Sequence, residues 1–333
     1  MSTIPPGWSG TSTSPASSAS PTSPTDPTPT ATEAVATRAP AVEEMIDLPR
    51  GKELDDLAAS KLQAAKPVRL VVLAGPVKAG KTTLLNTIND MFQEGKIGAY
   101  CFSGSKTLPA FEERCHLSRT LSERGGQDTE RTKVKDARYL HVQVSGSDLN
   151  PDPLDLLFTD ISGETFEDAR NSVTECQRLT FLRTTDHFVL VLDCEKIVDL
   201  RKRNKVIHEA MGLLRLCLDS GMLDSSCFVN VLWTKYDWIA AAEDGEHKSF
   251  LQKTTKEFED QFASRVGKLS FAEVAARPDK SGLAFGYGIP ELLKEWAVSS
   301  PRYREMNLVP DEAGTRESEQ FLDRHFKAVQ DSE

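Results

Sequence analysis

The 333-residue sequence lacks any run of about 18 apolar side chains, so no membrane-spanning helix is expected. It also lacks a basic excess. The formal net charge is −10, which argues against a general affinity for nucleic acid, since phosphate backbones need a cationic face. Its six cysteines (Cys101, Cys115, Cys176, Cys194, Cys217, Cys227) include no C-x-x-C pair, and several lie inside apolar runs. That excludes a zinc or disulfide framework and points to reduced, mostly buried thiols. The opening MSTIPPGWSG has neither the basic n-region nor the apolar core of a secretory signal. Ser2 stands where myristoylation requires glycine, and the closing AVQDSE is not a prenylation box. These absences lead to the expectation of a cytoplasmic protein.

Composition shifts along the chain. Residues 1–40 hold eight of the eighteen prolines, seventeen serines or threonines and only three charged groups. Such a segment cannot bury enough apolar surface to offset its ordering entropy, so a disordered Ser/Thr/Pro-rich tail is expected over 1–50. A short amphipathic helix around 51–64, carrying Leu54, Leu57 and Leu62, leads into the main domain, 51–298. Strands are expected at 69–74, 138–145, 154–160, 187–193, 227–233 and 270–276. Helices are expected at 81–94, 109–122, 165–184, 200–219, 248–266 and 289–298. This alternation predicts an α/β fold in three layers, a mostly parallel sheet covered on both faces. The stretch RYLHVQVSGSDLNPDPLDLLFTD reads as two strands joined by a turn-rich connection, hence an antiparallel pair. Residues 299–333 are charged and weakly patterned, and an exposed helix or tail is expected there.

Four stretches carry chemistry. In VVLAGPVKAGKTTLL, Gly75, Gly80, Lys81 and Thr82 fit G-x-x-x-x-G-K-S/T between a buried strand and a helix. Glycines let backbone N–H groups face phosphate oxygens, and the lysine brings charge to the β- and γ-phosphates. The threonine hydroxyl is a ligand for Mg²⁺, and the helix adds its positive N-terminal end. Lys78, Ala79 and Thr83 complete the nucleotide-facing set. In LLFTDISGE, Asp160 at a strand end can hold Mg²⁺ through water, and the Gly163 N–H can meet the γ-phosphate without a Cβ in the way. In CFVNVLWTKYDWI, Thr234, Lys235 and Asp237 fit N/T-K-x-D. A carboxylate there accepts both guanine N1–H and N2–H₂, whereas adenine would leave it unpaired and desolvated. The Lys235 stem can lie along the base face. In SFAEVAARP, Ala275 and Ala276 open a small-residue turn that can offer a backbone N–H to guanine O6.

With these four elements in order, residues 68–298 resemble the P-loop GTPases of the translation-factor-related class, in the Ras-like arrangement. That resemblance implies a six-stranded sheet with one antiparallel strand and a GTP/Mg²⁺ site at the C-terminal strand ends. The wording GSKTLPAFEERC, TDISGE and LWTKYD is similar to the bacterial double-GTPase-type domains of multi-gene conflict systems. A second GTPase domain is absent from the sequence, so a dimer or pairing with another GTPase would be intermolecular. Three departures from the pattern stand out. An inserted interval before Asp160 obscures the switch threonine that completes the Mg²⁺ shell; position favours Thr132, and the double-GTPase resemblance makes Thr107 its rival. Glu164 stands where Ras-like enzymes carry the glutamine that orients the attacking water, so unassisted turnover is expected to be slow. Lys78 falls near where some members hold a potassium ion with an asparagine. The reading is a GTP-binding switch with slow Mg²⁺-dependent hydrolysis to GDP, answering to an unknown protein effector or activating protein. A non-catalytic GTP-binding scaffold and an ATP-dependent kinase are the alternatives.

Overall fold

The computed structural model describes residues 51–123, 137–146, 153–159, 161–242 and 245–298. The expected tails at 1–50 and 299–333, Thr132 and Asp160 lie outside the described residues. The chain begins with α1 (Asp56–Ala65), β1 (Val68–Ala74), α2 (Lys81–Glu94), β2 (Tyr100–Gly104) and α3 (Leu108–Glu123). It continues through β3 (Tyr139–Gly146), β4 (Leu154–Thr159), α4 (Gly163–Asn171), α5 (Val173–Arg178) and β5 (His187–Asp193). The remainder is α6 (Cys194–Ile197), α7 (Arg203–Asp219), β6 (Phe228–Thr234), α8 (Asp237–Ala240), α9 (Glu246–Phe262), β7 (Lys268–Val274) and α10 (Ile289–Val298). None of the described helices is long and apolar enough to cross a membrane.

The sheet has seven strands in the order β2-β3-β4-β1-β5-β6-β7. β3 runs antiparallel to both β2 and β4, and the other neighbours pair in parallel, so β3 is the one reversed strand. The expected count of six omits β2. That strand is short, sits at the sheet edge, exposes Phe102 and Ser103 and shifts register between Phe102 and Gly104, so it shows no alternation to read. The expected antiparallel pairing is present as β3–β4, with Tyr139 opposite Thr159 and Val144 opposite Leu154.

Side chains alternate across the sheet and fill a core on each face. From β1, Leu70, Val72 and Ala74 join Phe166, Leu214, Phe258 and Phe262 on one side. Val71 and Leu73 join Leu84, Ile88, Phe111, Leu293 and Trp296 on the other. The central strands are buried on both faces, which is why residues 70–74 of β1 and 188–192 of β5 are continuous apolar runs. One buried polar network crosses the second layer. Trp296 Nε1 donates to Asn230 Oδ1 at 3.2 Å, His187 Nδ1 lies 3.2 Å from the same oxygen, and Asn230 Nδ2 donates to Ser270 Oγ at 2.8 Å. It links β5, β6, β7 and α10 in one register.

The expected helix 165–184 is divided. Ser172 is extended (φ −150°, ψ 124°), ends α4, and caps α5 by accepting from the Glu175 N–H at 3.3 Å. S-V-T-E is a capping box, a start signal inside a stretch whose apolar spacing reads as continuous.

Candidate functional site

The strand order reverses around β1: β2, β3 and β4 lie to one side, β5, β6 and β7 to the other. In an open α/β sheet the crevice at the carboxyl ends of such strands is where ligands bind. β1 ends there at Ala74, and the loop Gly75–Gly80 turns back into α2. Gly80 has φ 93° and Lys78 φ 66°, two left-handed positions that curl the loop. α2 starts without a side-chain cap, so its first N–H groups face the loop with no side-chain acceptor. Lys81 Nζ donates to the Gly75 and Pro76 carbonyls at 2.7 and 2.9 Å, which lays the ammonium across the loop. Ala79 is buried, Thr82 and Thr83 are partly exposed on the first turn of α2, and Lys78 is exposed.

Two later segments close on this loop. Gly163 begins α4 against its backbone: a Cβ at that position would meet Val77 N at 2.4 Å and Pro76 C at 2.6 Å. Only glycine fits there. Glu164, next in α4, is exposed, and its N–H reaches the Ser162 hydroxyl at 3.4 Å. From the other side, the buried Thr234 hydroxyl lies 2.8 Å from the Ala79 carbonyl and 3.0 Å from that of Leu192. It therefore fastens the phosphate loop to the ends of β5 and β6.

Asp237 is buried at the start of α8, and its Oδ2 accepts from the Asp279 and Lys280 N–H groups at 3.1 and 3.2 Å. The segment after β7 thus wraps the carboxylate. Arg277 in that segment bonds Asp90 of α2 at 2.7 Å, and the Lys280 ammonium lies over the Trp238 ring. The Ala275 N–H donates to Tyr287 O at 3.1 Å, and Ala276 follows it in the turn.

Thr107 is not on the loop. It is fully buried at the start of α3, where its hydroxyl accepts from the His141 N–H of β3 at 2.8 Å. The same junction donates Lys106 N–H to His141 Nδ1 at 2.9 Å, while His141 Nε2 meets the buried Asp155 carboxylate at 2.6 Å. Burial holds His141 toward its neutral form, although Asp155 pulls the other way. Thr107 belongs to this knot between the β2–α3 junction and β3. Among the described residues no cluster of three or more His, Cys, Asp or Glu could hold a metal ion. Asp160, which directly follows β4 in sequence, lies outside those residues.

Two site residues were missed in the sequence. Asp193 ends β5, and Glu195 lies in the first turn of α6, both beside Lys235. Lys235 Nζ lies 3.2 Å from Asp193 Oδ2 and 2.6 Å from Glu195 Oε2. The bond from Lys235 pulls the Glu195 carboxyl below its usual range, while burial raises that of Asp193 against the pull of Lys235. The available signal was positional. FVLVLD ends at the same sheet edge as the other motifs, with its acid on the last residue.

The sequence model of the family described as Double-GTPase 2 matches residues 69–297, which spans the loop, the β4–α4 turn, the TKYD segment and α10. The chain belongs to the Double-GTPase 2 family. As a Double-GTPase 2 chain it is a P-loop GTPase in family and fold, and GTP is the nucleotide that membership points to. Among solved structures it is similar to the signal recognition particle receptor SRb of Chaetomium thermophilum in a GTP/SRX complex, at 16% identity over 70% of this chain and 97% of that one, TM-score 0.41. It is also similar to the GTPase-like domain of S. cerevisiae Ski7 bound to GDP and inorganic phosphate, at 16% identity over 74% of this chain and 53% of that one, TM-score 0.39. The elongation factor SelB of Methanococcus maripaludis with a GTP analogue matches at 13% identity over 72% of this chain and 36% of that one, TM-score 0.37. No curated protein matches the sequence.

Proposed function

We propose that this Double-GTPase 2 chain is a cytoplasmic GTP-binding switch that hydrolyses GTP slowly and signals through nucleotide-dependent loops. The observation that carries the reading is the Thr234 hydroxyl within 2.8 Å of the Ala79 carbonyl, which holds the TKYD segment against the phosphate loop. Lys81 and the α2 N-terminus would take the β- and γ-phosphates, with Gly75 and Gly80 giving the loop its shape. Thr82 and Asp160 would hold Mg²⁺, with Thr132 or its rival Thr107 completing the shell. When bound, the metal supplies charge neutralisation at the β–γ bridge. Asp237 would accept guanine N1–H and N2–H₂, Ala276 would face O6, and Lys235 would cover the base. Gly163 would meet the γ-phosphate, so its loss on hydrolysis frees the start of α4. A protein effector or activating protein, or pairing with another GTPase, would read that change.

Thermal shift with GTP, GDP and ATP tests the base. Stabilisation by GTP and GDP and none by ATP is expected, and a preference for ATP revives a kinase. Single-turnover hydrolysis at saturating Mg²⁺ tests the chemistry. Glu164→Gln should hydrolyse GTP faster, because the amide still orients water without placing a second anion beside the triphosphate. A slower variant would make Glu164 an adapted base, and undetectable rates in both proteins would favour a non-catalytic scaffold.

A further inference from the structure

Lys235 is constrained in both backbone and side chain. Lys235 has a left-handed backbone (φ 53°), a conformation uncommon outside glycine that is retained where surrounding structure over-determines it. Its ammonium is gripped from two sides, by Asp193 Oδ2 at 3.2 Å and Glu195 Oε2 at 2.6 Å. Asp193 is fully buried and spends its other oxygen on the Glu195 N–H at 3.1 Å, so one carboxylate both caps α6 and orients the second clamp residue. The neighbouring Thr234 hydroxyl meets the Leu192 carbonyl one residue before Asp193. The end of β5 therefore holds two successive residues of the TKYD segment, one by its backbone and one by its side chains.

Resting on the guanine reading of the site, we infer that Asp193 and Glu195 are positioning residues for base recognition, a two-carboxylate clamp that fixes the Lys235 stem as a ready-made platform for the purine face. A lysine side chain loses considerable rotamer freedom when it is ordered. A clamp that orders it in the free protein removes that loss from the binding step. The stem contacts the ring face and reads no hydrogen-bonding edge. The clamp therefore adds affinity for any purine that Asp237 admits and leaves the choice among purines to Asp237.

The test uses the full chain with Glu195→Ala, Glu195→Gln and the double variant Asp193→Asn/Glu195→Ala. Competition binding is measured with GTP, ITP and inorganic tripolyphosphate, which fills the phosphate loop alone, beside the melting temperature of the nucleotide-free protein. Glu195 is about half exposed, so Glu195→Ala should weaken GTP about three-fold, as befits one partly solvated ion pair. Glu195→Gln should recover part of that loss. The double variant should weaken GTP and ITP by the same factor, about ten-fold or more, because the buried half of the clamp is also discharged. Tripolyphosphate affinity should stay near wild type in all three, and the melting temperature should stay near wild type in the two Glu195 single variants. A fall in all three ligands together with the melting temperature would overturn the clamp in favour of a general structural role. Unchanged or tighter GTP binding in the double variant would overturn it outright. If the wild type itself prefers ATP or binds no nucleotide, the guanine reading fails, and that outcome is read from the wild-type curves alone.

Discussion

At the scale of single residues, the site depends on atoms whose neighbours leave little room for substitution. Gly163→Ala should be costly, because its new methyl would meet the phosphate-loop backbone at Val77 N, 2.4 Å away, and peptide atoms yield poorly. We expect a loss of about 1–3 kcal/mol, seen as a lower melting temperature, and a reduced preference for GTP over GDP. A variant with both quantities unchanged would remove α4 from the nucleotide response. Asp237→Asn is a different kind of test. Its amide oxygen can still accept from the Asp279 and Lys280 N–H groups, so the wrap of that segment is kept. The variant should lose GTP affinity by about ten-fold or more and shift toward xanthosine triphosphate, whose extra carbonyl accepts from the amide. An unchanged base preference would place guanine recognition elsewhere.

At the scale of elements, burial helped legibility, although the edge strand β7, little buried, was also read at 270–276. β1, β4, β5 and β6 lie inside the sheet and could be read as apolar runs, while β2, with Phe102 and Ser103 exposed at an edge, could not. The motifs at the ends of buried strands were likewise legible, because glycine, lysine and carboxylate there have few structural uses. What could not be read was pairing across the fold: that Thr107 faces His141, that the Ala275 N–H is taken by Tyr287, and that Asp193 and Glu195 hold Lys235. Those partnerships depend on which strands become neighbours, and one-dimensional spacing carries no such information. The division at Ser172 is an exception, since its capping box was present to be read. Ser172→Ala should destabilise the protein by about 0.5–2 kcal/mol by denying the Glu175 N–H its acceptor. Chemical denaturation measures it, and a loss below a few tenths would show that tertiary contacts alone hold the α4–α5 break.

At the scale of the molecule, the Ser/Thr/Pro-rich opening and the α/β domain have contrasting compositions, and we expect them to be separable. Deleting residues 1–40 should leave the melting temperature and GTP affinity unchanged, because that composition favours few stable contacts. A drop of several degrees would show that the segment docks on the domain. The contact between Thr234 and Ala79 joins positions 155 residues apart and has a consequence for synthesis. A chain still growing carries its whole phosphate-loop sequence long before β6 exists, yet the side chain that fastens the loop has not been made. We therefore expect a truncated product that ends before TKYD to display the motif and yet bind nucleotide more weakly than the full chain.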